Sequence, residues 1–441
     1  MNGQRHRECG FKNVIPSERS ESRNLAVAVA VKAPGTAGGC RYRGPAERPQ
    51  PRRDPSARPF GAAQGDSTTD AQYERQGRGK TFALRLALFA TLALLAAGDT
   101  PARAAPPGPT LPPMMTRDIV AAADRGLAYL AKVQQPDGHL EAYAQGSGYP
   151  SVMTALAGLA FMAAGSTPEE GPYAANVKKA MLYLLRIADP AVNKDGLIAG
   201  PGSEGRSMYG HGFGMLFLAQ CYGMELNTPF ESRIRDVLER AVALTVKSQS
   251  PAGGWIYTPT GAGDEGSVTV TQLQALRACR NVGIKVPIEC IQKAAKYLKL
   301  CQNPDGGISY SLSSRGSSRP PISAAAIACF YAAGVYDRQT GGLGEEAETV
   351  EKLVRYVRQA VRIGQGGEGH YFYMHFYMAQ AMYQRSGRDW ETYYPEVAKD
   401  LLRQQATDGS WQGDGVGPVY GTALACVILQ LPYGYLPICQ R

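Results

Sequence analysis

The stretches QSPAGGW at residues 249–255 and QQATDGSW at residues 404–411 share one pattern, in which a glutamine is followed by a glycine and a tryptophan. Related stretches read QQPDGHL at 134–140, NKDGLIA at 193–199, QNPDGGI at 302–308 and QGGEGHY at 365–371. We call these six stretches turn motifs, because their glycines and short polar residues favour tight turns. Their recurrence predicts a repeat architecture, and the repeat is the unit from which the fold is built.

Each turn motif lies between two segments that have helical patterns of different kinds. The segments before the motifs, such as 116–134, 231–248, 289–302 and 347–363, have apolar residues at helical spacing and charges on the other face. The segments after the motifs are nearly uncharged, which predicts helices that are buried on all sides. These segments end at or reach a glycine, which is expected to form a left-handed cap: Gly165, Gly223, Gly283, Gly334, Gly387 and Gly434.

Six such pairs of helices predict an all-α fold. If the buried helices form an inner ring and the amphipathic helices an outer ring, the chain closes into an α/α toroid of six helical hairpins. The alternative is an open solenoid, which needs polar capping repeats at its ends. The last apolar segment, GTALACVILQLPYG at 421–434, is as apolar as the middle segments, and this favours closure.

The distribution of charge separates the repeats from the residues that precede them. The formal net charge of the chain is +9, but residues 1–104 carry 17 Lys and Arg against 9 Asp and Glu. Residues 1–74 are rich in arginine and proline without apolar periodicity, which predicts a disordered basic extension. Residues 75–104 combine basic residues, the apolar run LALFATLALLAA and an Ala-Arg-Ala site, which predicts a secretory signal peptide. Residues 105–441 are predicted to form the toroid.

A signal peptide predicts an exported protein, periplasmic or secreted, and an N-terminal membrane anchor is the alternative. The body after residue 104 carries 30 Lys and Arg against 29 Asp and Glu, so we expect no nucleic-acid partner. Its seven cysteines are widely spaced in apolar segments, which predicts buried thiols rather than disulfides or a metal site. No metal and no cofactor are predicted.

The turn motifs resemble the QW repeat of squalene–hopene cyclases and related triterpene cyclases. Two copies are intact, one with Gln249, Gly253 and Trp255 and one with Gln405, Gly409 and Trp411. The wider repeat looks like the prenyltransferase and squalene-oxidase repeat, which those cyclases share with protein prenyltransferase β subunits. The resemblance covers about residues 115–441 and implies the toroid fold. It also implies that these six residues are structural, with each tryptophan covering the junction between neighbouring helices.

The reactive groups of the resembling enzymes have no counterpart in this sequence. Triterpene cyclases protonate an alkene with an Asp-x-Asp-Asp cluster, and ionising terpene synthases hold magnesium with Asp-Asp-x-x-Asp; neither run occurs here. The Asp-x-Cys zinc ligands of protein prenyltransferases and the Gly-Cys-Gly-Glu-Gln run of thioester domains are also absent from residues 105–441. The resemblance therefore implies a fold without a reaction.

Candidate cavity residues come from a register in the buried segments. Twelve residues before the capping glycines are His211, Thr271, His375 and Thr422, and two residues earlier are tyrosines in three of the four segments. These positions are near the N-termini of the inner helices, where a toroid opens to a central cavity. Tyr and His two residues apart point to different helix faces, so one of each pair is expected to face the cavity. The candidate cavity-lining residues are Tyr209, His211, Asp264, Thr271, Tyr371, Tyr373, His375, Tyr420 and Thr422.

These candidates leave three functional hypotheses open. The first is an exported toroid that binds a hydrophobic or extended ligand, such as an isoprenoid, another lipid or a peptide, against an aromatic wall in repeat 5. The second is a terpenoid-cyclase-like enzyme that acts on a polyisoprenoid. The third is a glycan hydrolase or lyase, for which Asp264, Glu204 and Glu368 are acidic candidates without a recognisable pair.

Overall fold

The computed structural model describes residues 110–440 except 145–146, 201–203, 226–227, 333–344 and 365–369. The predicted basic extension and signal peptide lie outside the described residues. Twelve α-helices occur in the described part of the chain. They are α1 Arg117–Val133, α2 Pro150–Ala163, α3 Ala174–Ile187, α4 Ser207–Tyr222, α5 Glu231–Lys247, α6 Gly266–Asn281, α7 Ile288–Leu300, α8 Pro320–Ala332, α9 Glu345–Ala360, α10 Tyr371–Arg385, α11 Gly387–Gln404 and α12 Pro418–Gln430.

Two short strands, β1 Tyr143–Ala144 and β2 Ser147–Gly148, form an antiparallel pair before α2. Three 3₁₀ turns span Leu312–Ser314, Leu431–Tyr433 and Pro437–Cys439. Everything else that is regular in the described residues is α-helical. The predicted all-α class is therefore confirmed.

The odd-numbered helices are amphipathic and the even-numbered helices are buried. Every residue of α2 is buried, whereas α1 buries one face and exposes its charged residues to solvent. The even-numbered helices contact one another in the order α2, α4, α6, α8, α10 and α12, and α12 contacts α2 in turn. These contacts close an inner ring of six helices, and the odd-numbered helices surround it. The predicted α/α toroid is confirmed.

In the five turn motifs that the structure describes in full, a glycine packs against the outer helix of the next repeat. Gly253 has φ +102°, which is strained for any residue with a side chain, and its missing Cβ would lie against the carbonyl oxygen of Lys293 in α7. Gly409 of the last repeat has φ +89°, and a Cβ there would lie 2.7 Å from the carbonyl oxygen of Arg125 in α1. The same contact that joins neighbouring repeats therefore also joins the last repeat to the first.

The glutamine of the motif makes the same connection by hydrogen bonds. Gln249 Nε2 donates to the carbonyl of Gly253 in its own motif and to that of Cys290 in α7, both at 2.9 Å. Gln405 Nε2 donates to Gly409 O and, across the ring closure, to Ala122 O at 2.8 Å. Each glutamine therefore ties its own turn to the outer helix of the next repeat, which is why this residue type recurs.

The tryptophans are fully buried at these junctions. Trp255 Nε1 donates to Thr245 O of α5 at 2.8 Å, and Trp411 Nε1 donates to Leu401 O of α11 at 2.8 Å. The indole N–H is thus satisfied while the ring fills the space between helices. Among the capping glycines, Gly165, Gly283 and Gly434 have φ of +87°, +83° and +67° as expected. Gly223 differs, with φ −64°, because the backbone stays right-handed there.

Residues 431–440 cover the end of the ring where the inner helices finish. Ile438 N–H donates to Gln220 Oε1 near the end of α4 at 3.2 Å, and the Pro437–Cys439 turn contacts α6 and α10. Leu436, Ile438 and Cys439 are buried in this position. The interior just inside this end is filled, and Gln274 of α6 donates to Gln380 of α10 at 3.0 Å across the ring.

Candidate functional site

The opposite end of the ring, where the inner helices begin, contains a cavity of about 460 Å³. This volume is within the usual range for small-molecule sites. Sixteen residues line the cavity, and they come from all six repeats: Tyr149, Val152, Met153, Arg206, Tyr209, Phe213, Tyr257, Ser267, Tyr310, Arg319, Pro321, Ile322, His370, Tyr373, Val416 and Tyr420.

A hydrogen bond that recurs in the repeats fixes which residue of each inner helix faces the cavity. In five turn motifs, the residue two positions after the left-handed glycine donates its backbone N–H to a side chain in the inner helix that follows. We call these acceptors anchor residues: Thr154, His211, Thr269, Ser323 and Thr422. The residues two positions before them all line the cavity, namely Val152, Tyr209, Ser267, Pro321 and Tyr420.

The tyrosine of each Tyr-x-His pair is therefore the residue that lines the cavity. Tyr209 and Tyr373 are among the lining residues, and so is Tyr420 of the Tyr-x-Thr pair. His211 and His375 are fully buried on the other side of their helices, away from the lining. A helix rotates about 100° per residue, so positions two apart differ by about 200° in direction.

His211 is an anchor residue. Its Nδ1 accepts the N–H of Ile198 at 3.2 Å, and its Nε2 lies 2.9 Å from Thr245 Oγ1 and 3.2 Å from Ala241 O. Because Nδ1 accepts, the proton of the neutral ring is on Nε2, which donates toward α5. Burial lowers the pKa of His211 to about 4, so the ring stays neutral near pH 7.

His375 is also neutral, but it has a different set of neighbours. Its Nδ1 lies 2.8 Å from the hydroxyl of Tyr393 in α11, and burial lowers its pKa to about 4. Its Nε2 has no hydrogen-bond partner among the described residues. The ring of Tyr371 packs against this histidine at a tilt, with ring centroids 4.4 Å apart, and its hydroxyl donates to Asp400 at 2.5 Å. Tyr371 therefore faces the outer ring rather than the cavity.

The remaining candidates also lie outside the cavity lining. Thr422 is an anchor residue that accepts from Trp411 N–H at 2.9 Å. Thr271 donates to Ser267 O within α6, and the residue equivalent to His211 in that helix is Thr269. Asp264 accepts the N–H of Leu312 at 3.4 Å in the loop of the next repeat.

Carboxylates near the cavity are used to cap the inner helices. Glu265 accepts the N–H groups of Ser267 and Val268 and also the hydroxyl of Tyr209, at 3.1 Å. Glu204 accepts from the N–H and the hydroxyl of Ser151 at the start of α2. Burial raises the pKa of both carboxyl groups. Neither glutamate is among the lining residues.

A third carboxylate, Asp414, caps α10 from the following repeat. It accepts the N–H groups of Phe372 and Tyr373 at 2.9 and 3.3 Å, and burial raises its pKa. The free N–H groups of these helix starts are thereby occupied by the protein itself. The polar groups that the described lining offers to a ligand are the hydroxyls of tyrosines and Ser267, two arginines and a histidine.

Sequence reasoning missed most of the lining residues outside the Tyr-x-His register. Tyr257 and Tyr310 stand two residues after the ends of their turn motifs, and their carbonyls accept the first N–H groups of α4 and α6. Their hydroxyls also hydrogen-bond to each other. The signal that predicts them is their fixed distance from the motif. Arg206 and His370 directly precede α4 and α10, and no charge pattern in the sequence marks them as lining residues.

No group of three or more His, Cys, Asp or Glu side chains that could hold a metal occurs in the described part of the chain. All seven cysteines among the described residues are free and buried. No helix there is both long enough and apolar enough to cross a bilayer.

No protein-family model and no curated protein sequence matches this chain. Among solved structures, the α-1,6-mannanase GH76A of Salegentibacter sp. HEL1_6 is similar with 11% identity and a TM-score of 0.53, over 72% of this chain and 99% of that chain. A D-mannose isomerase is similar with 10% identity and a TM-score of 0.53, over 73% and 99%. The type II terpene cyclase MstE from Scytonema has 14% identity and a TM-score of 0.43, over 73% and 100%.

Identities this low carry information about the fold alone. The class defined by the fold is the α/α toroid, which is shared by enzymes with unrelated activities. The specific prenyltransferase repeat that the QW resemblance implied has no matching family model.

Proposed function

We propose that this protein is a ligand-binding toroid that holds an organic molecule with an apolar body in its central cavity. The observation that carries the proposal is the composition of the lining. Six tyrosines and one phenylalanine line a cavity of about 460 Å³, together with Val152, Met153, Ile322 and Val416. Such walls bury apolar or ring-shaped ligands and leave hydroxyls for orientation. Export of the protein, as the signal peptide predicts, is part of the same proposal.

The positions of the carboxylates favour ligand binding over the two enzymatic alternatives. A cyclase of polyisoprenoids needs a strong acid that faces the substrate, and a glycosidase needs two carboxyl groups on either side of the scissile bond. The described lining residues include no carboxylate, and the nearest ones, Glu265 and Glu204, are hydrogen-bonded into helix caps. A lipid, an isoprenoid and a peptide with apolar side chains all fit the proposed ligand class.

The experiment is a fluorescence titration with the neutral apolar probe N-phenyl-1-naphthylamine. We expect saturable binding of one probe per chain to the wild-type protein. Val416→Trp puts a larger side chain into the cavity lining, and we expect it to weaken binding at least about tenfold. The matched control is Val192→Trp, because Val192 is exposed on the outer surface. Equal probe affinity in the two variants, or no saturable binding to the wild type, overturns the proposal.

A further inference from the structure

The polar groups of the cavity wall are unbalanced in charge. The described lining includes two arginines and one histidine, Arg206, Arg319 and His370, and no acidic residue. A cleft lined by charge of one sign concentrates ligands of the opposite sign. We infer that the ligand carries an anionic oxygen headgroup, such as a carboxylate or a sulfonate, and that Arg206 and Arg319 bind it. This inference rests on the proposed function and specifies the ligand class.

Arg206 is the central element of the proposed anion subsite. It is half-buried, and its guanidinium lies over the ring of Tyr257, 4.4 Å from the ring centroid. It forms no ion pair with any of the described residues. A guanidinium that is stacked on an aromatic face keeps its N–H edge free, and this edge matches two oxygens of an anion. Tyr257 therefore holds the cation in place without neutralising it.

Two carboxylates that contact lining residues are already occupied by other hydrogen bonds. Glu265 accepts from two backbone N–H groups and from Tyr209, and Asp414 accepts from two N–H groups at the start of α10. Both carboxylates therefore cap the N-termini of inner helices. Arg206 therefore has no ion-pair partner among the described residues, and leaving a half-buried charge uncompensated is costly. An anionic ligand removes that cost.

Arg319 supplies a second charge to the same cavity from the start of α8. Its side chain is exposed and forms neither an ion pair nor a hydrogen bond with the described residues, while its backbone N–H donates to Ile308 O at 2.8 Å. Tyr310 also lines the cavity, and its hydroxyl hydrogen-bonds to that of Tyr257, the ring on which Arg206 lies. The backbone at Arg319 is thus fixed, and the side chain is free to reach a ligand.

The neutral groups in the wall also favour a ligand that accepts hydrogen bonds. The hydroxyl of Tyr373 is buried and has no partner among the described residues. Tyr420 lines the cavity and forms no side-chain hydrogen bond with them either. Phenolic hydroxyls both donate and accept, whereas guanidinium groups only donate, so the wall offers more donors than acceptors. Oxygens of an anionic headgroup match this excess of donors.

The test uses two fluorescent probes that share an N-phenylnaphthylamine body and differ in charge. One is 8-anilinonaphthalene-1-sulfonate, and the other is neutral N-phenyl-1-naphthylamine. We expect the full-length protein to bind the sulfonate at least about tenfold more tightly than the neutral probe, since charge-assisted hydrogen bonds are the strong ones. We also expect this preference to decrease as the salt concentration rises.

The variants are Arg206→Gln and Arg319→Gln, with Arg280→Gln as the matched control, because Arg280 is an exposed arginine of α6 outside the lining. We expect Arg206→Gln to weaken sulfonate binding about tenfold, and by a larger factor than it weakens binding of the neutral probe. Near-ultraviolet circular dichroism checks that each variant is folded, which matters because loosely packed states also bind the sulfonate probe. Arg319 is exposed, so its variant tests the subsite even where Arg206→Gln loses stability.

The outcomes separate the two proposals. Absence of saturable binding of the neutral probe contradicts the proposed function, whether or not the sulfonate binds. Saturable binding of the neutral probe with no preference for the sulfonate contradicts only the anion subsite. A preference for the sulfonate that survives in both the Arg206→Gln and the Arg319→Gln protein also overturns the subsite, because the charge would then act from elsewhere.

Discussion

The backbone N–H of Ile198 donates to Nδ1 of His211 at 3.2 Å. In four other repeats the acceptor of the equivalent hydrogen bond is the hydroxyl of a threonine or a serine. His211 therefore takes the place of the threonine or serine that accepts this hydrogen bond in the other repeats. Its longer side chain also contacts α5, at Thr245 Oγ1 and Ala241 O. A histidine that the sequence marks as a candidate for the cavity lining is a junction residue between a turn and two helices.

This role predicts a loss of stability when His211 is removed. His211→Ala leaves the N–H of Ile198 and the hydroxyl of Thr245 with fewer partners and creates a cavity, so we expect a cost of about 2–4 kcal/mol in the free energy of unfolding. Chemical denaturation measures it. The control is His370→Ala, because His370 is exposed at the cavity and no hydrogen bond of its side chain is found among the described residues. Equal stability of the two variants contradicts the junction role.

The two buried histidines also predict a dependence of stability on pH. Burial lowers the pKa of His211 and of His375 to about 4, from 6.5. Between these values the unfolded chain binds protons that the folded chain does not, so stability falls as the pH decreases from 6.5 toward 4. Each histidine contributes a slope of about 1.4 kcal/mol per pH unit within that window.

Glu204 and Glu265 act in the opposite direction, because burial raises their pKa and the folded chain then binds more protons above pH 4.5. The measurement is therefore the difference between wild-type protein and His211→Gln, which keeps polar atoms at this site but does not titrate. We expect the fall in stability between pH 6.5 and pH 5 to be smaller in the variant. Parallel stability curves over this range rule out a lowered pKa at His211.

The sequence predicted the helices and the ring correctly, but the register that it predicted for α6 relative to α4 is wrong. Periodicity identified inner and outer helices because burial on all sides excludes charge, as in α2. Counting back from the capping glycines paired Thr271 with His211, whereas the hydrogen bonds pair Thr269 with it. The helices α4 and α6 have the same length, but Gly223 directly follows α4 whereas Gly283 stands one residue further from the end of α6. A glycine near the helix end therefore does not fix which face points inward. The hydrogen bond from the turn motif does.

The lining residues between motifs and helices depend on loop geometry, which periodicity does not describe. Arg206 and His370 precede their helices directly, and only the folded loops bring them to the same cavity as Tyr257. The absence of a counter-charge around Arg206 is likewise a property of the fold, since acidic residues are near it in sequence.

The cysteines of the toroid should be inert toward thiol reagents in the folded protein. All seven described cysteines are buried, and burial raises the pKa of Cys290 and Cys301 to about 11 and of Cys439 to about 12. Thiols with such values form little thiolate near neutral pH, and thiolate is the reactive form. We expect peptide mapping after iodoacetamide treatment to find these seven sites unmodified in native protein and modified in denaturant. Rapid labelling of any of the seven in native protein contradicts the burial.

Closure of the ring at the first and last repeats can be tested at one glycine. Gly409 has φ +89°, and an added Cβ would lie 2.7 Å from the carbonyl oxygen of Arg125 in α1. Gly409→Ala therefore has two costs: the left-handed backbone, at about 1–2 kcal/mol, and displacement of α1 from the turn. Gly316 isolates the first cost, because it has φ +100° and no atom within 4 Å of an added Cβ.

We expect Gly409→Ala to lower the free energy of unfolding by at least about 1 kcal/mol more than Gly316→Ala does, since overpacking costs this much or more. Urea denaturation followed by circular dichroism measures both variants under the same conditions. The excess belongs to the contact between the last turn motif and the first helix, because the backbone term is common to the two variants. Equal losses at the two glycines would mean that α1 does not pack against this turn. That result would contradict ring closure at the contact where Gln405 donates to Ala122 O of α1.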